Sequence, residues 1–512
     1  MKRTLTFSVS TFVIIIACFA FLSFISAPAL YAQQEGKRPL THDDYDSWKS
    51  IASAAVSVDG QWVLYIEAPQ DGDGDLVVKN VRSMKEFRHS IGYTGEGTDA
   101  ERAANPQFSY DSSHVVFLIS PSQEQVEKAK KAEGKEKKEE EEELKKKLGI
   151  MNLSNGEVTE LERVKSFALP EESGGWVAYL KEAPPEEEKK EEEKEKETEE
   201  KTEEKKAEEE EEKEKKKKED YGTPFALRSL QDGSETTIGD VFKYRFTKDG
   251  KNLLYVVSSK EKPETDGVYV IQPGSDSSTS LLTGKGKYTK WALDKEETVL
   301  AFMTDKDDQE ADEPTFNLYG WKLGDPEAVL WVSHESTDGF PEGMSVSDKS
   351  DISFSEDGKV VMFGIKEIPE PEKDEEEEEK EEKPKFDLWH WDDPYPQPQQ
   401  KQIAQRVRDN TWESVYHLDT ETFVKLADED IPDVSLSRNG KIAWAETILP
   451  YTKLVSYDGS YYDIYVIDPE SGERTLVKKK LYRGASLSPN GKFIYWFADN
   501  HWHVYDIAVK TT

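Results

Sequence analysis

Cysteine occurs once in the 512 residues, at Cys18. That position falls inside an apolar leader, so the rest of the chain can hold no disulfide, thiolate zinc site or cysteine nucleophile. Basic charge is scarce beside acid: 68 Lys and Arg face 105 Asp and Glu, a net charge of -37. A surface so acidic lacks the clustered cations that phosphate backbones require, which counts heavily against nucleic acid as a partner. No convincing amphipathic helix is legible between the β-patterned segments, and long apolar runs are confined to the N-terminus.

The charge is unevenly spread. Three tracts, residues 124–147, 186–220 and 370–385, hold 18, 32 and 14 charged residues and carry 0, -8 and -6. Without them about a quarter of the chain is charged, an ordinary globular fraction, and the body keeps -23. Its Phe, Trp and Tyr, 55 in the whole chain, supply material for a large core. At the other end of the polarity scale, Lys2 and Arg3 precede an uncharged stretch from Thr4 to Gln34, with small residues at Ser26, Ala27, Ala29 and Ala32. This reads as an export signal, residues 1–32, cleaved after Ala32. It would leave residues 33–512 in a periplasmic or extracellular compartment with no stable membrane span. A retained span remains open, because the run is long enough to cross a bilayer. So does a lipid anchor at Ile15-Ile-Ala-Cys18, although the apolar Phe-Ala-Phe-Leu after Cys18 counts against it.

What the chain does have is a repeated phrase. A small residue or Ser, an Asp/Asn-Gly turn, a polar residue and a short apolar run recur at Val56-Ser-Val-Asp-Gly, Phe108-Ser-Tyr-Asp-Ser, Phe246-Thr-Lys-Asp-Gly, Phe354-Ser-Glu-Asp-Gly, Leu436-Ser-Arg-Asn-Gly and Leu487-Ser-Pro-Asn-Gly. Weaker copies begin at Leu169 and Trp291. Asp/Asn-Gly supplies the positive φ of a tight hairpin, and the β-branched and aromatic run that follows suits a buried strand. Most copies lead into a third, alternating strand, at 75–81, 224–230, 267–271, 316–321, 386–391, 462–468 and 502–507, then a turn and a short fourth strand such as Arg474-Thr-Leu-Val. Four antiparallel strands repeated about eight times predict an all-β fold, a β-propeller of about seven to eight four-stranded blades. The charged tracts each follow a second strand, so they should project from one side as solvated, disordered or partly helical insertions; an acidic fringe that repels or excludes partners is the other reading.

Pro39-Leu-Thr-His-Asp-Asp-Tyr-Asp-Ser-Trp, followed by the first hairpin and Gly74-Asp-Leu-Val-Val, resembles the opening of secreted bacterial serine peptidases of the prolyl oligopeptidase family. The resemblance extends through the repeats over essentially the whole mature chain, although Ser-Pro-Asn-Gly-Lys repeats are shared with TolB-type propellers. It implies a propeller that filters peptide or protein substrates for a C-terminal α/β-hydrolase domain carrying Ser, Asp and His. The nucleophile is missing here: Gly320 to Gly324 encloses Lys322, Gly339 to Gly343 encloses Pro341, and no G-x-S-x-G exists. The expectation is therefore a non-catalytic propeller portion, incomplete at its C-terminus, with the hydrolase domain downstream. A stand-alone periplasmic TolB-like propeller for protein or peptide binding is the alternative.

No residue earns a catalytic, cofactor-binding or metal assignment, and no cofactor is expected. Asp71-Gly-Asp-Gly-Asp75 begins like a calcium loop, but Leu76 and Arg82 stand where Gly and Glu belong, so a polar hairpin loop is the better reading. His501 and His503 share a strand face without a third ligand, which favours packing or rim hydrogen bonding. His42, Asp43 and Asp44 read as a structural clasp or turn. Glu171 and Glu172 invite comparison with the acidic pair by which dipeptidyl peptidases hold a substrate amino terminus, yet they fall in a turn and read as solvent-facing.

Overall fold

The computed structural model describes residues 41, 48–94, 104–132, 144–183, 221–311, 313–368, 390, 393 and 395–512. The leader, the His42-Asp43-Asp44 motif and most of the charged tracts lie outside the described residues.

The hairpin phrase folds by a repeated hydrogen-bond device. In the first copy the Ser57 hydroxyl donates to Asp59 Oδ1 (2.6 Å), which also accepts the Gln61 N–H, while Ser57 Oγ accepts the Trp62 N–H. The same three bonds recur for Ser109 and Asp111, Thr247 and Asp249, Ser355 and Asp357, Ser437 and Asn439, and Ser488 and Asn490. One hydroxyl and one carboxylate or amide thus satisfy the N–H groups that a tight turn leaves without ladder partners. The residue after Asp or Asn has φ between 66° and 70° at Gly60, Gly250, Gly358, Gly440 and Gly491, and Ser112 takes the same position at 56°.

Each hairpin grows into an antiparallel meander, giving seven sheets among the described residues. Repeats 1 and 2 occupy 49–93 and 107–161, and repeats 5 to 8 occupy 288–332, 344–425, 434–482 and 486–506. Repeats 3 and 4 run together as one seven-stranded sheet over 164–283, because strand Glu235–Phe246 is the last strand of one and the first of the next. The fold is an all-β propeller in which consecutive sheets pack face to face. Period-two alternation sends one face of a strand to each neighbour. Val115 and Phe117 pack on repeat 1, while Val116 and Leu118 pack on repeat 3. Seven hydrophobic clusters join the eight repeats in chain order, each adding side chains worth about 1.5–3 kcal/mol apiece when fully buried.

Two expectations are corrected. Helices do interrupt the repeats: α1 (Gln123–Lys131), inside the first charged tract, and α2 (Gln397–Arg408). The start of segment 124–147 is helical, which agrees with a partly helical insertion, and its last residue, Lys147, opens a strand. The third strand of repeat 6 is Trp412–His417, not 386–391, of which only His390 is described. A rival hid the correct strand: Phe386-Asp-Leu-Trp-His-Trp alternates in the same way and comes first after the hairpin, whereas Trp412-Glu-Ser-Val-Tyr-His, followed by its Asp-Thr turn, lies farther downstream of its partner Val360–Glu367.

Candidate functional site

In each meander the turns between strands one and two lie at one end, and the connections between strands two and three, or to the next repeat, lie at the other. The second end carries an opening, a cavity of about 1080 Å³ bordered by repeats 3 to 6 and by Glu429 in the connection to repeat 7. Residues flanking the second and third charged tracts are at this end: Tyr221 and Ile368, on the cavity wall, adjoin residues 184–220 and 369–389.

The rim is held by carboxylates bonded to their own loops. Asp266, fully buried, accepts the Ser259 N–H, and the Ser259 hydroxyl donates to Asp240. Asp308 Oδ2 accepts both the N–H and the hydroxyl of Thr315. Burial opposes ionisation of Asp307, yet hydrogen bonds from Lys306, Tyr319 and Asn317 hold its carboxyl below the usual range. These aspartates fix the loops that shape the opening.

The wall itself is amphipathic. Phe316, Trp412, Pro263, Pro314, Ile368 and Val407 give it apolar surface. Its charge is balanced, with six Lys or Arg and six Asp or Glu, in a chain where acid outnumbers base by 37. The cations are concentrated where repeats 5 and 6 meet: Lys287, Lys349 and Lys366 place their ammonium groups 3.9, 3.7 and 3.7 Å from Asp348. Among the described residues no histidine lines the cavity, and its Ser259 hydroxyl is committed to Asp240.

A Ser–His–Asp grouping does occur at the opposite end. Ser113 donates to Asp111 (2.7 Å) and lies 2.8 Å from His114 Nδ1. The order is wrong for activating a nucleophile, because the carboxylate holds the hydroxyl rather than orienting the imidazole. Asp111 is the turn carboxylate of its repeat, and burial pushes His114 below its ordinary pKa and so favours the neutral ring.

The residues singled out from sequence are dispersed. Asp71 accepts hydrogen bonds from Tyr93 and from the Gln123 side chain, and Asp73 accepts the Gln123 N–H, so this pair fastens the start of α1. Ser122 and Gln125 complete the attachment as a capping box. His503 stacks on Trp496 at 5.6 Å between ring centroids, whereas His501 is exposed. Glu171 and Glu172 are exposed in a hairpin turn at the end away from the cavity, the Glu172 N–H bonded to Lys248 O. Among the described residues no group of three or more His, Cys, Asp or Glu is placed to hold a metal ion. The lysine group and Asp348 were not found from sequence, since they come from strand ends up to 79 positions apart and belong to no motif.

No protein-family model and no curated protein matches the chain. Among solved structures, a prolyl endopeptidase aligns with 90% of it at 12% identity and a TM-score of 0.33. The β-propeller domain of the Trilobed protease from Pyrococcus furiosus aligns with 85% at 9% identity (TM-score 0.27, 99% of that chain). TolB from Acinetobacter baumannii aligns with 85% at 11% identity (TM-score 0.25, 80% of that chain). The chain spans 55% of the length of the prolyl endopeptidase structure.

Proposed function

We propose that this chain is the substrate-docking propeller of an exported serine peptidase of the prolyl oligopeptidase type, admitting peptides or extended chains to a hydrolase domain that supplies the nucleophile. The observation that carries this reading is the amphipathic, charge-balanced cavity of about 1080 Å³ at one end of the sheets. It combines apolar walls for side chains with ions of both signs for a zwitterionic peptide. The prolyl-oligopeptidase-like opening motif and the export leader support the same reading from the sequence.

Active-site labelling tests it. A fluorophosphonate probe applied to the native exported protein should mark a polypeptide containing this sequence, whereas the 512-residue chain by itself should bind proline-containing peptides without cleaving them. An unlabelled native protein that still binds peptides would leave a stand-alone binding propeller in its place.

A further inference from the structure

The peptide-docking reading leaves open what the cavity recognises, and the charge arrangement on its wall bears on that. Three ammonium groups from three strand ends converge on one carboxylate. Lys287 precedes strand Tyr288–Leu293, Lys349 follows strand Met344–Val346, and Lys366 lies near the end of Val360–Glu367. All three stand 3.7–3.9 Å from Asp348, longer than a direct hydrogen bond, so Asp348 is shared rather than captured by one partner. The group therefore carries two positive charges in excess. Asp305, the neighbouring carboxylate on this wall, accepts the Lys287 backbone N–H at 2.6 Å.

This is not an open-surface charge cluster. The Asp348 side chain is 13% exposed and that of Lys366 22%, while Lys287 and Lys349 reach solvent at about half exposure. Charge contacts in such a partly desolvated wall are screened less than those on the outer surface. Phe316 and Trp412 flank the same cavity, so an anion carried on a peptide could place apolar groups beside it.

We infer that Lys287, Lys349 and Lys366, gathered around Asp348, form a recognition point for a peptide carboxylate. The carboxylate is an acidic side chain or the peptide C-terminus, and the inference rests on the docking reading above. Asp348 sets its strength by cancelling one of the three charges.

The test uses the full chain and a rhodamine-labelled octapeptide of Ala and Pro with one central Glu or Gln, each ending in a carboxylate or a carboxamide. Binding is followed by fluorescence anisotropy at 50 and 300 mM NaCl. At least one acidic form should bind about tenfold more tightly than the Gln carboxamide, and the advantage should shrink at high salt. Whether Glu or the free C-terminus confers it identifies the source of the carboxylate. Combining Lys287→Met, Lys349→Met and Lys366→Met should abolish the preference, while the three corresponding Lys→Arg changes keep it. Asp348→Asn, which leaves every lysine in place, should increase it and provides the decisive result if the triple Met variant does not fold.

Equal binding of all four peptides, or an acidic preference that survives loss of the lysines, overturns the inference while leaving docking intact. Displacement of the acidic peptide by millimolar inorganic phosphate but not by acetate also overturns it, in favour of a phosphate site. If no peptide binds, the docking reading falls and this inference falls with it.

Discussion

Glu413 offers a test of how the sheets meet near the cavity. It lies on strand Trp412–His417, and its alternation partner Val415 packs in the cluster between repeats 6 and 7. Burial pushes its carboxyl up to about 7, with the nearby charge of Asp433 adding to the effect and a hydrogen bond from its own backbone opposing it. The folded protein therefore holds a proton that the unfolded chain, with an ordinary value of 4.5, releases earlier. Stability should be unaffected by this group below about pH 4.5, fall as pH rises towards 7, and remain lowered above it. The gap corresponds to roughly 3 kcal/mol at full weight, which solvent access to the partly exposed carboxyl reduces to about 1–2 kcal/mol. Glu413→Gln removes the charge while keeping size and polarity. Urea denaturation should show equal stability of the two proteins at pH 4 and an advantage of about 1–2 kcal/mol for Gln at pH 8. An advantage of the same size at both pH values, or none at pH 8, would show that Glu413 ionises normally in the folded protein and refute this reasoning.

The hairpin turns make a graded prediction. Gly440→Ala should cost about 2–3 kcal/mol in chemical denaturation, because a Cβ there meets Ser355 Cβ at 2.8 Å in addition to the positive-φ strain, whereas Gly60→Ala, with nothing within 4 Å, should cost only about 1. Ser355→Ala leaves the Val360 N–H and Asp357 without their shared hydroxyl and should destabilise by about 1–3 kcal/mol in the same assay. Asp73→Ala should release the start of α1, seen as faster amide exchange over 123–131 with little change in global unfolding. Asp433→Asn should lower the carboxyl pKa of both Glu413 and Glu446, since its charge raises both; NMR titration of the glutamate side chains would show whether the two move together.

The hairpins were legible because their determinants are local. Ser57, Asp59 and Gly60 satisfy and bend the same few peptide units, so the physics that makes the turn is written within five residues and recurs wherever the turn does. Third strands were legible where an alternating segment stood without a rival, as at Thr223–Ser229, which follows Trp176–Lys181 across the longest charged tract. The one that was misplaced, Trp412–His417, is separated from Val360–Glu367 by a charged stretch and α2, and only cross-strand pairing reveals it. Helix α1 shows why composition misleads at a boundary: its Glu and Lys look like the rest of the tract, but Asp71 and Asp73, some fifty positions earlier, fasten its first turn. The same non-local rule governs the candidate site. Lys287, Asp348 and Lys366 have no mutual spacing in sequence, and they meet because repeats 5 and 6 pack through Ala301, Met303, Val361 and Phe363. In a propeller the core is assembled within and between neighbouring repeats from a pattern that each repeat states again, whereas a recognition point is made at the ends of strands, where the repeats differ. Sequence periodicity therefore identifies the scaffold, and the unrepeated strand-end residues are where specificity must be sought.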